Sequence, residues 1–190
     1  MKGALAIPLW LLLALPAAAL PVPATAPSPA PASSYQVLSI GDGDTISVRQ
    51  GSGDSIRVRL ACIDAPEMAQ RPAGPAARAA LQQLLPVGSP VTLAVQTTDR
   101  YGRTVAEVFR AGTPTAINQT LVQEGYAFVY GRYLQQCDQA SYTALEAAAA
   151  QAKRGIWGPL GQGLIKPWDY RAHQRANQRA HHHAHQPNQG

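Results

Sequence analysis

Residues 45–60 read TISVRQGSGDSIRVRL, and this stretch decides the fold of the domain around it. Apolar and polar residues alternate in its first five positions, and they alternate again from Ile56 to Leu60. A period of two is typical of a half-buried β-strand. The intervening segment at residues 51–54 has the Gly, Ser and Asp composition of a turn. The stretch therefore predicts a β-hairpin with an unusually polar outer face.

Further strands and helices are predicted on both sides of this hairpin. A β-prone run at residues 35–40 precedes it, and alternating segments at residues 91–95 and 105–109 flank a turn at residues 99–102. Helices are predicted where amphipathic or Ala-rich segments are closed by Gly or Pro. These segments are residues 75–85, 116–123 and 141–154. Five short strands interleaved with three helices predict a small α+β domain whose sheet is a closed five-stranded barrel.

The N-terminal segments are predicted to serve export and to act as a linker. A positive Lys2, an almost wholly apolar run at residues 4–15 and small residues up to Ala19 predict a signal peptide over residues 1–19. The apolar run is short for a membrane span, which needs about 20 residues, although an uncleaved anchor remains the alternative. Residues 20–34 are rich in Pro, Ala and Ser and predict a linker. We expect an exported protein, periplasmic or secreted, without a membrane span in the mature chain.

The C-terminal residues 170–190 carry all five His residues together with Arg, Gln and Asn, and no aliphatic residue larger than Ala. This composition predicts a basic, His-rich disordered tail, which leaves residues 35–169 as the folded domain. The chain has 16 Lys and Arg against 11 Asp and Glu, a net charge of +5. A basic balance favours polyanions as partners, but it is shared by many secreted proteins and does not determine the fold.

Two acidic clusters flank the hairpin, with Asp42 and Asp44 before its first strand and Asp64 and Glu67 after its second. Because an antiparallel pair brings its far ends together, these carboxylates can converge. Converging carboxylates bind hard divalent cations such as Ca²⁺, which take oxygen ligands. The spacing is not that of an EF-hand, and the Asp-Gly pairs could also be turn formers without any other role.

Two arginines accompany the carboxylates. Arg59 lies on the strand that leads into Asp64, and Arg103 follows the turn at Tyr101 and Gly102. Arginine beside carboxylates and a metal is suited to bidentate binding of a phosphate whose charge rises in the transition state. Taken singly, either could be a solvated strand arginine, and the combination is what favours a phosphate site.

Cys62 and Cys137 are the two cysteines of the chain. An exported chain enters an oxidising compartment, so we predict that they form a disulfide. The alternative is two independent thiols, with Cys62 a small core residue.

Three motifs in order resemble the staphylococcal nuclease (thermonuclease) family: DGDT at residues 42–45, VRLACIDAPE at residues 58–67 and DRYGR at residues 99–103. The resemblance covers about residues 35–158. It implies an OB-fold barrel with three helices and a nuclease domain over residues 35–169. It also implies one Ca²⁺ ion and cleavage of DNA and RNA that leaves 3′-phosphates.

The resemblance further implies a role for each residue of the metal site. Asp44 and Asp64 would hold Ca²⁺ together with the backbone carbonyl of Ala65, a position at which many relatives carry Thr. Since the ligand there is a carbonyl, Ala should still serve. Asp42 would tune the site without ligating the metal.

The remaining catalytic roles are implied in the same way. Glu67 would position or deprotonate the attacking water. Arg59 and Arg103 would bind the phosphate and stabilise the pentacovalent transition state. Tyr101 matches a residue beside the bound nucleotide.

A further pocket tyrosine of the family could correspond to Tyr130 or to Tyr133. DNA and RNA are the expected partners of a monomer without a stable protein partner. One alternative is a catalytically silent OB-fold module that binds nucleic acid, but such modules typically lose the arginines or the glutamate. The other is a metal-binding export protein that uses the His-rich tail.

Overall fold

The computed structural model describes residues 34–184 of the chain. The predicted signal peptide and residues 20–33 of the predicted linker lie outside the described residues, as do residues 185–190. The strands are β1 (Tyr35–Ile40), β2 (Thr45–Arg49), β3 (Ser55–Leu60), β4 (Ile63–Asp64), β5 (Pro90–Thr98), β6 (Thr104–Arg110) and β7 (Phe128–Val129). The α-helices are α1 (Ala73–Leu84), α2 (Ile117–Gln123), α3 (Gln139–Gln151) and α4 (Pro167–Ala184). Short 3₁₀ helices cover Gly131–Gln136, Gly155–Trp157 and Pro159–Gly161.

Five of the strands close into a barrel in the order β1-β2-β3-β6-β5, and β1 pairs with β5 to complete the ring. All neighbours are antiparallel except β3 and β6, which are parallel. Alternate residues of the strands fill the interior, as a period of two requires. The most deeply buried of them are Val37, Ile46, Val48, Val58, Leu60, Val91, Ala106 and Val108. The α+β fold with a closed five-stranded OB-fold barrel is therefore confirmed.

The predicted hairpin of β2 and β3 is present, with Thr45 opposite Arg59 and Arg49 opposite Ser55. The ladder continues one step beyond β2, because the Leu60 N–H donates to the Asp44 carbonyl at 2.8 Å. Asp44 therefore lies beside the end of β3, where the chain turns toward Asp64.

Helix α2 supplies a buried amide that joins two strands of the barrel. The Asn118 Nδ2 donates to the carbonyls of Ala61 and Ala106, and its Oδ1 accepts the Val108 N–H. All three partners of this side chain are backbone groups of β6 and of the turn after β3. These hydrogen bonds fix the point at which the chain leaves the barrel toward Asp64.

The predicted disulfide is confirmed, since Cys62 and Cys137 are bonded with a Cα–Cα distance of 6.5 Å. Cys62 lies in the turn between β3 and β4, and Cys137 lies just before α3. The bridge therefore connects the segment that carries Asp64 to the loop that follows β7.

The prediction of a disordered tail over residues 170–190 is wrong for its described part, because residues 167–184 form α4. The predicted domain boundary at residue 169 falls inside this helix, which is a fourth α-helix beyond the three predicted. Its first turn is anchored by Trp168, whose ring stacks on Tyr130 at 5.1 Å and meets Phe128 edge-on at 6.1 Å. Composition alone failed here because aromatic packing at one end holds a helix that is otherwise polar. None of the described helices is long and apolar enough to cross a membrane.

Candidate active site

The carboxylates of Asp44 and Asp64 lie side by side beneath one arginine. The Arg59 Nη1 is 3.0 Å from the Asp44 Oδ2, and its Nη2 is 2.8 Å from the Asp64 Oδ1. Asp44 comes from the turn before β2, Arg59 from β3 and Asp64 from β4, so the hairpin and its exit strand build this cluster. The Asp64 side chain is only 1% exposed, and Asp44 is buried as well.

The turn that carries Asp44 is packed tightly against the segment after Asp64. The Asp44 Oδ2 accepts the Ala65 N–H at 2.7 Å, and the Asp42 Oδ1 accepts the Asp44 N–H at 3.1 Å. A Cβ atom added at Gly43 would lie 2.6 Å from the Ala65 Cβ and 2.7 Å from the Ala77 Cβ. Glycine is therefore required between the two aspartates, because any side chain would push Asp44 away from Ala65.

Burial of this cluster disfavours the charged form of the Asp44 carboxylate. It raises the pKa of Asp44 to about 7, and the negative charges of Asp42 and Asp64 act in the same direction. The Arg59 guanidinium and the Ala65 N–H oppose the shift without cancelling it. Two buried carboxylates of this kind are stabilised by an added cation.

Glu67 is positioned by Gln70, a buried residue that the sequence analysis missed. The Gln70 Oε1 accepts the Glu67 N–H at 3.0 Å, and the Glu67 carbonyl accepts the Gln70 N–H at 2.8 Å. The Gln70 Nε2 donates to the Ile165 carbonyl at 2.9 Å. Gln70 therefore ties the Glu67 loop to the segment just before α4, a contact across 95 residues for which no local sequence signal exists.

Arg171 of α4 lies on the predicted site and was also missed, because it was assigned to a disordered tail. Its Nη2 is 2.6 Å from the Asp64 Oδ2, and its Nη1 is 3.1 Å from the Asp64 Oδ1 and 2.7 Å from the Glu67 Oε1. Partial burial opposes its charge, but the bonds to both carboxylates outweigh this and raise the pKa of Arg171. A usable signal was Pro167 at a helix start followed by arginines four residues apart.

Arg103 and Tyr101 form a separate group on the turn between β5 and β6. The Asp99 carboxylate accepts the Arg103 N–H at 3.0 Å and its Nε–H at 2.7 Å. Partial burial opposes ionisation, but these bonds lower the pKa of Asp99. The Arg103 guanidinium carbon lies 5.7 Å from the centre of the Tyr101 ring, which is 66% exposed. Among the described residues, no hydrogen bond or ion pair joins this pair to Asp44, Asp64 or Glu67.

The strand register nevertheless puts Arg103 on the same face as Arg59. Val105 of β6 is the partner of Arg59 on the parallel strand β3, and Arg103 lies two residues before it. Arg103 directly precedes β6, so continuation of the strand alternation would place it on the outward face of Arg59, offset by about 7 Å along the strands.

The two tyrosines that could line the pocket differ in exposure. Tyr130 is covered on one face by Trp168, and Tyr133 meets the Tyr130 ring edge-on at 5.2 Å. Tyr133 is 54% exposed. Of the two, Tyr133 has the more accessible ring.

The donor atoms suit a hard cation. Asp44 and Asp64 offer carboxylate oxygens, and Ca²⁺ binds carboxylates, backbone carbonyls and water. In the described part of the chain, no group of three or more His, Cys, Asp or Glu side chains is arranged to hold a metal. A cation at this cluster would therefore need further ligands from the backbone or from water.

Comparison with known proteins finds several relatives that are named as nucleases. The family model described as staphylococcal nuclease homologue matches residues 57–159. A micrococcal nuclease of Shigella flexneri is 38% identical over 144 residues, which cover 72% of this chain and 79% of the relative. A protein of Escherichia coli O157:H7 named an uncharacterized endonuclease is 35% identical over 136 residues, covering 72% of this chain and 83% of the relative. A protein of the same name from Haemophilus influenzae is 34% identical over 140 residues, 74% of each chain.

Proposed function

This chain belongs to the staphylococcal nuclease family and is a nuclease, and we propose that its activity depends on a calcium ion held by Asp44, Asp64 and the Ala65 carbonyl. The observation that carries the proposal is the pair of buried carboxylates on one arginine, with Glu67 linked to the same Asp64 through Arg171. Oxygen ligands on buried, crowded carboxylates match the preference of Ca²⁺. The substrates we propose are DNA and RNA.

Each residue has a distinct part in the proposed hydrolysis. Glu67 accepts a proton from a water molecule whose oxygen forms the new bond to phosphorus. Its side chain is 33% exposed, so solvent water has access to it. As the P–O5′ bond breaks, the 3′-phosphate stays on one product and the leaving oxygen takes a proton from solvent to become a 5′-hydroxyl.

The two arginines bind the phosphate and stabilise the charge that accumulates on its oxygens. Arg59 is held by Asp44 and Asp64 from below, and Arg103 is held by Asp99 on the same outer face. Tyr101 next to Arg103 offers an exposed ring on which a base can stack. When bound, Ca²⁺ supplies Lewis-acid charge neutralisation and a template for the phosphate.

We also propose that the protein is exported. The predicted signal peptide supports this, and so does the disulfide between Cys62 and Cys137, because disulfides persist in oxidising compartments and are rare in the cytosol. Detection of the protein, cut after Ala19, in periplasmic or culture fractions is the expected result. Retention of residues 1–19 on a cytosolic protein would contradict export.

The calcium proposal is tested by digesting heat-denatured DNA and RNA with the mature protein, with added Ca²⁺ and with excess EGTA. We expect cleavage only with Ca²⁺ and products that carry 3′-phosphates. Glu67→Gln should lower kcat at least about 10²-fold, the scale for one preorganised charged group. Glu124→Gln is the matched control, because Glu124 is exposed, pairs with Arg154, and has no hydrogen bond or ion pair to Asp44, Asp64 or Glu67 among the described residues.

Full activity in EGTA would contradict the calcium proposal. Binding of DNA with no cleavage under any divalent cation would instead favour the silent binding module.

A further inference from the structure

Arg171 takes up the oxygen atoms that the proposed chemistry needs. Both oxygens of Asp64 accept hydrogen bonds from it, at 2.6 Å and 3.1 Å, and the Glu67 Oε1 accepts a third at 2.7 Å. The Asp64 Oδ1 is also bonded to Arg59. The guanidinium fork therefore neutralises the proposed metal ligand and engages the proposed base at the same time.

Aromatic and hydrogen-bond contacts anchor the start of α4, the helix that carries Arg171. Its first turn is held by the stacking of Trp168 on Tyr130, and Gln70 binds the carbonyl of Ile165 just before it. Arg171 has an intermediate exposure, and residues 172–181 after it are all exposed. The contacts of Arg171 with Asp64 and Glu67 hold this part of the helix over the carboxylates.

A divalent cation at Asp64 competes with Arg171 for the Asp64 Oδ2, the oxygen that Arg59 does not bind. The like charges of the cation and of Arg171 also repel each other at a few ångströms in a partly buried site. Release of Arg171 would also free the Glu67 Oε1 to accept a proton from water. The two changes are coupled because one side chain makes both contacts.

We propose that α4 is a displaceable autoinhibitory strap: Arg171 occupies Asp64 and Glu67 in the calcium-free protein and leaves both when Ca²⁺ binds. The proposal rests on the calcium site proposed above. A strap that must open before binding lowers the apparent affinity for Ca²⁺ by the fraction of molecules in which it is open. The enzyme would therefore need more Ca²⁺ for activity than its bare ligand set requires.

Calorimetric titration of Ca²⁺ into the mature protein, without nucleic acid, tests the strap directly. Arg171→Gln keeps a side chain of similar polarity but removes the charged fork, and we expect its Kd for Ca²⁺ to fall about 10-fold. Arg171→Lys keeps the charge but cannot form the fork, and it should give an intermediate Kd. Arg179→Gln, two helical turns further along α4, makes the same charge change and should leave Kd within about twofold of the wild type.

Hydrogen exchange of residues 171–181 provides a second measurement that does not depend on activity. In the wild type, added Ca²⁺ should increase exchange in this segment several-fold, because the strap is released. In Arg171→Gln the segment should exchange rapidly even without Ca²⁺. This measurement also shows that the rest of the variant remains folded.

The possible results distinguish the proposed strap from the proposed calcium site. An unchanged Kd in Arg171→Gln, with Ca²⁺ binding intact, would overturn the strap alone. If the Kd of Arg171→Lys equalled that of the wild type, the strap would also be overturned. The effect would then come from the positive charge alone and would not need the forked contact. Failure of every variant and of the wild type to bind Ca²⁺ would overturn the proposed metal site, and the strap with it. A large fall in kcat of Arg171→Gln at saturating Ca²⁺ would overturn inhibition and make Arg171 part of the catalytic set.

Discussion

Arg59 and Arg171 both bind Asp64, but the two guanidinium groups have very different support. Arg59 lies on β3, paired with Thr45 on one side and Val105 on the other, and its side chain is 13% exposed. Its Nη1 also donates to the carbonyl of Leu60 at 2.9 Å. Arg171 lies on α4, where residues 172–181 are exposed, and its own side chain is 34% exposed.

Arg59 therefore neutralises Asp64 as a fixed part of the site, whereas the neutralisation by Arg171 can be exchanged for that by another cation. Arg59 belongs to a strand that is paired on both sides within the closed barrel, whereas Arg171 belongs to a helix whose residues 172–181 are exposed. The barrel side of the site, formed by Asp44, Arg59, Asp64 and Ala65, can therefore stay preorganised while the helical side changes. Variants on the two sides of the site are therefore expected to differ in their effects.

The disulfide should give the largest effect, because it fixes the barrel side. It closes a loop of 75 residues, and in the chain-entropy model such a bridge contributes about 4 kcal/mol. We expect Cys62→Ala with Cys137→Ala to lower the free energy of unfolding by about this amount in urea titrations. A loss below about 1 kcal/mol would show that the turn before Asp64 is held without the bridge.

Arg59→Ala should come next, with kcat at saturating Ca²⁺ lowered at least about 10²-fold. The matched control is Arg57→Ala, which removes an exposed arginine from the same face of the same strand. We expect the control to keep turnover within a few-fold of the wild type, as measured on denatured DNA. Equal losses in both variants would mean that general positive charge, rather than the position of Arg59, is what matters.

Gly43→Ala should have a moderate effect on the barrel side. The added methyl would meet the side chains of Ala65 and Ala77, and overpacking of this kind costs about 1–3 kcal/mol. The turn must shift, so Ca²⁺ affinity should fall along with stability. Gly131→Ala is the control, because a Cβ there meets nothing within 4 Å. Unchanged Ca²⁺ binding in Gly43→Ala would show that the Asp44 turn is not preorganised.

The pH dependence of stability tests the electrostatic cost of the barrel side. Because the pKa of Asp44 rises from 3.8 to about 7 on folding, its contribution to stability is full below about pH 4 and is lost as the pH rises through 7. In EGTA, the stability of the wild type relative to Asp44→Asn should therefore decline over this window. Asp54→Asn, in the exposed hairpin turn, is the control. Parallel stability curves for wild type and Asp44→Asn would contradict the shift.

Truncation after Tyr170 should have the smallest effect on stability. It removes the partly exposed ion pairs of Arg171 but keeps Trp168 and its packing, so we expect a loss of less than about 1 kcal/mol without Ca²⁺. Thermal unfolding in EGTA measures this. A loss above about 3 kcal/mol would make the distal part of α4 a structural element rather than a strap.

The part of the site that could be predicted is the part whose determinants are local. The alternation in β2 and β3 and the Gly-rich turn specify a hairpin, and antiparallel geometry then brings Asp44 close to Asp64. The motifs shared with the nuclease family added the proposed roles of these residues. None of this required contacts between distant segments.

The part that could not be predicted depends on long-range contacts. Strand β4 is two residues long and exists because Ile63 and Asp64 pair with Val129 and Phe128. Helix α4 is polar along most of its length, so its composition resembles that of a disordered tail. Its position comes from Trp168 and from Arg171, which meets Asp64 across 107 residues of sequence. The spacing of four between Arg171, Arg175 and Arg179 is compatible with a helix, but it does not indicate which residues that helix contacts.

Phe128 is the register partner of Asp64, and its ring touches both Trp157 at 5.3 Å and Trp168 at 6.1 Å. The third tryptophan of the chain, Trp10, falls in the predicted signal peptide. Both indole rings of the mature protein would thus lie against Phe128, the strand partner of Asp64, and one of them lies in the first turn of α4. The protein consequently has an intrinsic fluorophore pair at its site, and its ultraviolet emission can follow ion binding in real time without any attached dye.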